Sequence, residues 1–295
     1  MFDFKDLFEA SSLLHAIELS REYPDSLIIA GGSDILIKIR EKKLRNCQLI
    51  SIQSLDELRG IEMFGDEDIR IGALECFSSI GKNELIKKHI PVLGEASMAV
   101  GGPQVRNIGT IGGNICNGAT SADTPSTLLA LDAVLEITGH DGVRLIPIEQ
   151  FYIDAGKVDL GKGEILTSIL IKKESYLNYA GYYYKYSTRN AMDISICNCS
   201  INVKLSENKD AIEDVRAAYG AAGPVPTRVH FAEKQIKGKE ITSDLIEQFA
   251  ETAAVCLNPR SSYRADKEFR KHILEEMSKL CLAEAIRRGG SHGAV

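Results

Sequence analysis

Behind Ser11 and Ser12, apolar residues at 13, 14, 16, 17 and 19 recur at helical spacing and stop before Pro24. Residues 27–30 are a short apolar run halted by Gly31 and Gly32, which predicts a strand. Asp34 then stands where it can cap a helix carrying Ile35, Leu36 and Ile39. Residues 49–52 predict another strand, and Ser54 with Glu57 fits the capping box of a short helix. Residues 61–64 and 69–73, joined by Gly65-Asp66-Glu67-Asp68, predict a hairpin. Helical spacing continues to about residue 99, and a glycine-rich stretch fills 101–118. Thr124-Pro125 opens a helix over 126–131, with proline in the first turn. Strands follow at 134–138 and 143–148 around a turn at 139–142, and again at 165–171. The polar stretch 172–175 marks a boundary. Beyond it, 193–205 and 214–221 predict long strands, and two helices close the pattern, the last long and charged over 263–288. Uneven alternation of strands and helices favours an α+β fold over a doubly wound sheet.

The 295 residues suffice for two compact domains and a sizeable core. Charge decides more. A formal net charge of −6 argues against nucleic acid as a partner, since phosphate binding needs a basic surface. No apolar run approaches the roughly 20 residues of a membrane span. Asp3, Lys5, Asp6 and Glu9 leave no apolar signal segment at the start. The 7 cysteines are odd in number and scattered, which favours a reducing cytoplasm over a disulfide framework. Neither C-x-x-C nor H-E-x-x-H occurs, so no metal or iron–sulfur ligands are expected in this chain. No nucleophile–base pair stands at recognisable spacing either, and no catalytic side chain is assigned.

Two glycine segments carry the candidate chemistry. The first is Ile28-Ile29-Ala30-Gly31-Gly32-Ser33-Asp34-Ile35, and the second is Thr110-Ile111-Gly112-Gly113-Asn114, with Val100 and Gly101 upstream of it. Neither matches G-x-G-x-x-G or the Walker loop. One reading makes them tight turns. The other makes them nests of backbone N–H groups that cradle an anion, the first reinforced by the helix start behind it. Two such loops on one diphosphate would hold a dinucleotide. Asp123 reads as a helix cap or as an acceptor for a ligand hydroxyl. Cys197 and Cys199 share a strand face with Ile201, Val203 and Leu205 and read as core thiols, while Cys116 is open to a reactive role. Tyrosines crowd between 176 and 186, and a strand there puts Tyr183 and Lys185 on one face. That face is either core or turned to a ligand.

These two segments in order, roughly 80 residues apart, resemble those of the FAD-binding subunits of the molybdenum hydroxylases. The supporting residues are Ala30–Asp34 and the run Gly102-Pro103-Gln104-Val105-Arg106-Asn107-Ile108-Gly109 leading into the second segment. Asn114-Ile115-Cys116-Asn117-Gly118 onward to Asp123, with Ala191-Met192-Asp193-Ile194-Ser195, is similar to the flavin subunit of bacterial xanthine dehydrogenase. The resemblance implies a two-part FAD-binding domain of the vanillyl-alcohol-oxidase-like (PCMH) type over 1–175, with parts at about 1–55 and 56–175. A smaller C-terminal α+β domain of the CO dehydrogenase flavoprotein type would fill 176–295.

By resemblance, Ile28, Ile29, Ala30, Gly31, Gly32, Ser33, Asp34 and Ile35 hold the FAD diphosphate. Thr110, Ile111, Gly112, Gly113 and Asn114 close over it. Asp123 lies near the ribityl or diphosphate region, Ile165 and Leu166 pack against the flavin, and Lys185 approaches from the C-terminal domain. Val100 and Gly101 are further contacts. Partner chains would carry the molybdenum cofactor and [2Fe-2S] clusters, in a heterotrimer or a dimer of heterotrimers. Electrons would pass from the iron–sulfur subunit through FAD to NAD⁺, in purine oxidation. Some relatives insert a cysteine-rich segment for a four-iron cluster; this chain lacks it, and no such cluster is expected. A stand-alone FAD oxidoreductase, the FAD subunit of another N-heterocycle or CO dehydrogenase, and a non-catalytic nucleotide-binding protein are the alternatives.

Overall fold

The computed structural model describes residues 3–291. The ends of the expected domain ranges, 1–2 and 292–295, lie outside them. Three larger sheets and a two-stranded ribbon, Tyr152–Asp154 with Lys157–Val158, organise the described residues, and the architecture is mixed helix and sheet.

The first sheet has three parallel strands, with Cys47–Ser51 between Phe4–Glu9 and Leu27–Ile29. Parallel neighbours need crossovers. These are the helices Leu13–Glu22 and Ile35–Arg40. Ser12 caps the first, accepting from the His15 N–H. The expected capping box at Ser54 and Glu57 does not form. The segment is a short 3-10 turn, Asp56–Leu58, and the Glu57 carboxylate instead accepts from the Leu13 N–H at 2.6 Å, tying down the start of a helix 44 residues away.

The second sheet has five antiparallel strands in the order Ile61–Phe64, Asp68–Gly72, Ile165–Ile171, Val134–Gly139, Gly142–Pro147. Every residue of the central Ile165–Ile171 strand is buried. Its first two side chains serve different cores. Ile165 packs with Ala16, Ile17 and Ile50 under the first sheet, and Leu166 joins Ile71, Ile111 and Leu128 under the second. Short helices between residues 77 and 130 cover this sheet, and the glycine-rich stretch supplies two of them, Pro103–Ile108 and Ile111–Cys116.

The third sheet is an antiparallel meander, Tyr179–Tyr186, Cys197–Leu205, Ile212–Gly220 and Thr227–Arg228. Its strand at Cys197–Leu205 starts later than the expected residue 193. One face carries Cys197, Cys199, Ile201 and Val203 against Phe249, Leu274 and Cys281 of the following helices, so these are core thiols, as read from the alternation. The other face carries Asn198, Ser200 and Asn202, also buried. Asn198 and Asn202 donate to the Ala122 and Ala130 carbonyls around the Thr124–Ala130 helix, and Ser126 donates to Asn198. Polar alternation here marks a domain seam. The last helix is Lys267–Arg288, capped by Asp266. Among the described residues no helix is long and apolar enough to cross a membrane.

Candidate functional site

The Leu27–Ile29 strand ends at the carboxyl edge of the parallel sheet, where chain and helix start leave a crevice. A cleft of about 560 Å³ opens there, walled on the other side by the second sheet and its helices. Such a volume suits a small-molecule site. Ile28 to Ile35 line it without interruption, facing Val100, Thr110, Gly112, Gly113, Asn114, Ile165 and Leu166. Ile111, Gly101, Asp123 and Lys185, named from the sequence, lie outside the lining.

The two glycine segments contribute differently. The amides of Ala30, Gly31, Gly32, Ser33, Asp34 and Ile35 donate to no acceptor among the described residues. All but the exposed Asp34 are half-buried, where N–H groups rarely go unpaired, so this run is a ready anion nest. The Gly32 φ of +71° bends the run as a side chain would resist. Gly31 is required by proximity: a Cβ there would meet the Ile108 carbonyl oxygen at 1.8 Å. The first loop thus rests directly on the chain leading into the second.

Four of the five amides of the second segment are engaged within the protein, which corrects the two-nest expectation. The Ile111 and Gly112 N–H groups donate to the Glu75 and Ala73 carbonyls at 2.9 Å each. Gly113 N–H donates to the Thr110 hydroxyl at 3.1 Å, and Asn114 N–H to the Thr110 carbonyl at 3.0 Å. The segment is the first turn of a helix capped by Thr110, and the Gly113 and Asn114 amides close that turn. It forms a wall. Ile111, fully buried, is core. Asp34 occupies the start of its helix without a side-chain capping bond.

Asp123 neither caps its helix by a side-chain bond nor reaches the cleft. Its Oδ1 accepts from the Tyr183 hydroxyl and the Ser195 hydroxyl at 2.8 Å each, and Oδ2 pairs with Lys185 Nζ at 3.0 Å. Tyr183 and Lys185 do share one strand face, and that face meets Asp123. Burial pushes the Asp123 carboxyl up, against the pull of Lys185, Ser195 and Tyr183. Lys185 also donates to the Ala99 carbonyl at 3.0 Å, and the Met192 N–H donates to the Gly101 carbonyl at 3.3 Å. Asp123 and Lys185 therefore hold the turn that carries Val100 into the cleft.

Arg106 does the same from the other side, its guanidinium donating to the Val100 and Gly101 carbonyls at 3.0 and 3.2 Å. The sequence reading left Arg106 without a role, and it also passed over Lys38 and Asn117 in the lining. A basic residue four positions after Asp34, one turn into the helix, was the available signal for Lys38. Cys116 lines the cleft, and desolvation pushes its thiol up to about 12, which argues against a reactive role. No group of His, Cys, Asp and Glu among the described residues could hold a metal ion.

Tested against an FAD dinucleotide, the cleft fits: it offers an unbroken run of free amides for a diphosphate and an apolar wall of Val100 and Leu166 for a ring. Residues 2–172 match the FAD-binding domain of molybdopterin dehydrogenases, and residues 182–285 match the C-terminal domain of CO dehydrogenase flavoproteins. The chain belongs to this family of FAD-binding oxidoreductase subunits. It is 37% identical over 290 residues to the xanthine dehydrogenase FAD-binding subunit of Escherichia coli O157:H7, covering 98% of this chain and 99% of that one. It is also 26% identical over 264 residues to the carbon monoxide dehydrogenase medium chain of Hydrogenophaga pseudoflava, covering 90% of each. A solved carbon monoxide dehydrogenase structure from Hydrogenophaga pseudoflava superposes with a TM-score of 0.93 at 25% identity, over 98% of this chain and 99% of that one.

Proposed function

We propose that the chain is the FAD-binding electron-transfer subunit of a multi-subunit molybdenum hydroxylase of the xanthine dehydrogenase type. It would take electrons from an iron–sulfur subunit and pass them as hydride to NAD⁺. The observation that carries this is the run of amides from Ala30 to Ile35, free of internal acceptors and lining one cleft. When bound, FAD supplies the exchange between single-electron and hydride chemistry that no side chain here provides.

The chain's residues bind and orient. The amides of residues 30–35 take the diphosphate; Val100 and Leu166 flank the ring system; Thr110, Gly112, Gly113 and Asn114 form the facing wall. Ile28, Ile29 and Ile165 complete the apolar floor. Asp123, Lys185 and Gly101 act one layer back, fixing Val100. The division near residue 175 belongs to the same reading, with 1–175 as the FAD-binding domain and 176–295 as a domain that braces the cleft. The molybdenum-binding and iron–sulfur partners, in a heterotrimer or a dimer of heterotrimers, carry the substrate chemistry, and the cytoplasm is the compartment.

A second reading, the FAD subunit of a dehydrogenase for another N-heterocycle or carbon monoxide, is favoured by one fact. The nicotinate dehydrogenase FAD-subunit of Eubacterium barkeri is 30% identical over 246 residues, covering 82% of this chain. The native complex decides. Purified through this chain, it should hold one FAD per copy and reduce NAD⁺ with xanthine. Turnover confined to nicotinate-like heterocycles or carbon monoxide would select the second reading, and a complex that takes up no FAD would refute both.

A further inference from the structure

Four charged residues line the cleft: Asp34, Lys38, Lys162 and Glu164. Two are committed elsewhere. Lys162 pairs with Asp25 at 2.9 Å, and Glu164 is held by Arg144 at 2.7 Å. Asp34 and Lys38 remain, one turn apart on the helix behind the amide run, with no ion pair to either among the described residues. Lys38 lines the same cleft as the amide run. Its Nζ donates to Asn117 Oδ1 at 2.7 Å. Asn117 follows the Ile111–Cys116 helix on the facing wall. The cation is thereby held across the cleft by a neutral partner, its charge left over.

An anion in the nest would meet six amide dipoles and the carboxylate of Asp34. Without Lys38 that wall is net negative. We propose that Lys38, steadied by Asn117, is the charge-matching residue of the diphosphate subsite and determines its preference for a doubly charged dinucleotide. This rests on the FAD reading above and adds a side-chain recognition element to it. Asn117 is a positioning residue, acting through Lys38.

The test titrates FAD into the full-length chain freed of cofactor, at 50 and 500 mM NaCl, following flavin fluorescence. Lys38→Met keeps the stem and removes the charge; Lys38→Arg keeps the charge. A charge-assisted hydrogen bond lost to an anion predicts that Lys38→Met weakens FAD binding roughly 10- to 100-fold at low salt. Its salt dependence should flatten because the screened charge is gone. Lys38→Arg should stay within about threefold of wild type, and Asn117→Ala should lose less than Lys38→Met. An affinity for Lys38→Met within twofold of wild type overturns the proposal. So does a loss with the wild-type salt dependence intact, which would assign Lys38 to packing. If the wild-type chain takes up no FAD, the functional reading falls as well; wild-type uptake with an indifferent Lys38→Met variant sinks only this proposal.

Discussion

Gly31→Ala adds a single methyl group at the place where the two walls of the cleft touch. The new Cβ would stand 1.8 Å from the Ile108 carbonyl oxygen, 2.6 Å from its carbon and 3.2 Å from the Gly109 Cα. All three are backbone atoms, so no rotamer change relieves the contact. The walls must part by roughly 1.5 Å to restore an ordinary carbon–oxygen separation. Overpacking of this kind costs about 1–3 kcal/mol, and a backbone-on-backbone clash belongs at the upper end. Taking about 3 kcal/mol, the melting temperature should fall by roughly 6–12 °C for a chain of this size. The shift also moves the amides of residues 30–35 relative to Val100 and Leu166, so FAD affinity should drop at least about tenfold. Scanning calorimetry and the flavin absorbance per chain after desalting read both effects. Gly113→Ala is the control: its Cβ meets only the Thr110 hydroxyl oxygen, at 2.9 Å, and alanine is the better helix former. That variant should melt within about 3 °C of wild type. A Gly31→Ala protein with wild-type melting and full flavin content would show that the two segments do not abut, and the description of the cleft would be wrong.

Lys185→Met should cost about 3–5 kcal/mol in urea unfolding, because it strands the Asp123 carboxylate in a buried site. The Asp123→Asn/Lys185→Met double variant should recover part of that loss; a single-variant cost below about 1 kcal/mol would contradict the role given to the pair. Glu284 is held down to about 2 by hydrogen bonds from Arg287 and Arg288, below its ordinary 4.5. Its stabilising contribution is therefore present above pH 4.5 and lost as the pH falls towards 2. The melting-temperature gap between wild type and Glu284→Gln should be constant from pH 7 to 5 and shrink below pH 4.5; a gap that widens on acidification reverses the assignment. With its thiol pushed up to about 12, Cys116 should label with iodoacetamide at pH 8 far more slowly than the exposed Cys256, as read by peptide mass spectrometry.

Elements whose partners are close in the chain, or whose pattern is strong, were legible. The 61–64 and 69–73 hairpin carries its own turn, and the 165–171 run is apolar throughout, as a central strand requires. What escaped depends on partners far away. Phe4–Glu9 alternates exposed and half-buried positions and becomes a strand only by pairing with Cys47–Ser51, more than 40 residues on. Glu57 satisfies a local capping motif, yet its carboxylate serves Leu13. In the glycine-rich stretch, residue type signalled close backbone approach without saying to what. For Gly112 the neighbour is Ala73, whose carbonyl oxygen would lie 2.7 Å from an added Cβ. A glycine that packs a helix against a strand and a glycine that exposes amides to an anion look alike in sequence, and only the hydrogen-bond partners separate them.

That distinction bears on why the C-terminal domain accompanies the cleft at all. None of its residues lines the cavity. Its influence runs through three residues, Ala99, Val100 and Gly101, whose carbonyls are all engaged: Ala99 by Lys185, Gly101 by the Met192 N–H, and both Val100 and Gly101 by Arg106. Gly101 sits at φ +44°, a conformation other residues adopt reluctantly, so the turn needs bracing from outside to stay fixed. Arg106 braces it from within the FAD-binding part, and Lys185 and Met192 brace it from across the seam. Lys185 can do so only because Asp123, on the FAD-binding side, balances its charge in a site too buried to leave it bare. The same seam holds Asn198 and Asn202 against the Thr124–Ala130 helix that follows Asp123. The carboxylate, the helix and the turn thus form one continuous hydrogen-bonded path from the third sheet to Val100. Detaching the C-terminal domain would release the wall of the cleft without removing a single residue that lines it.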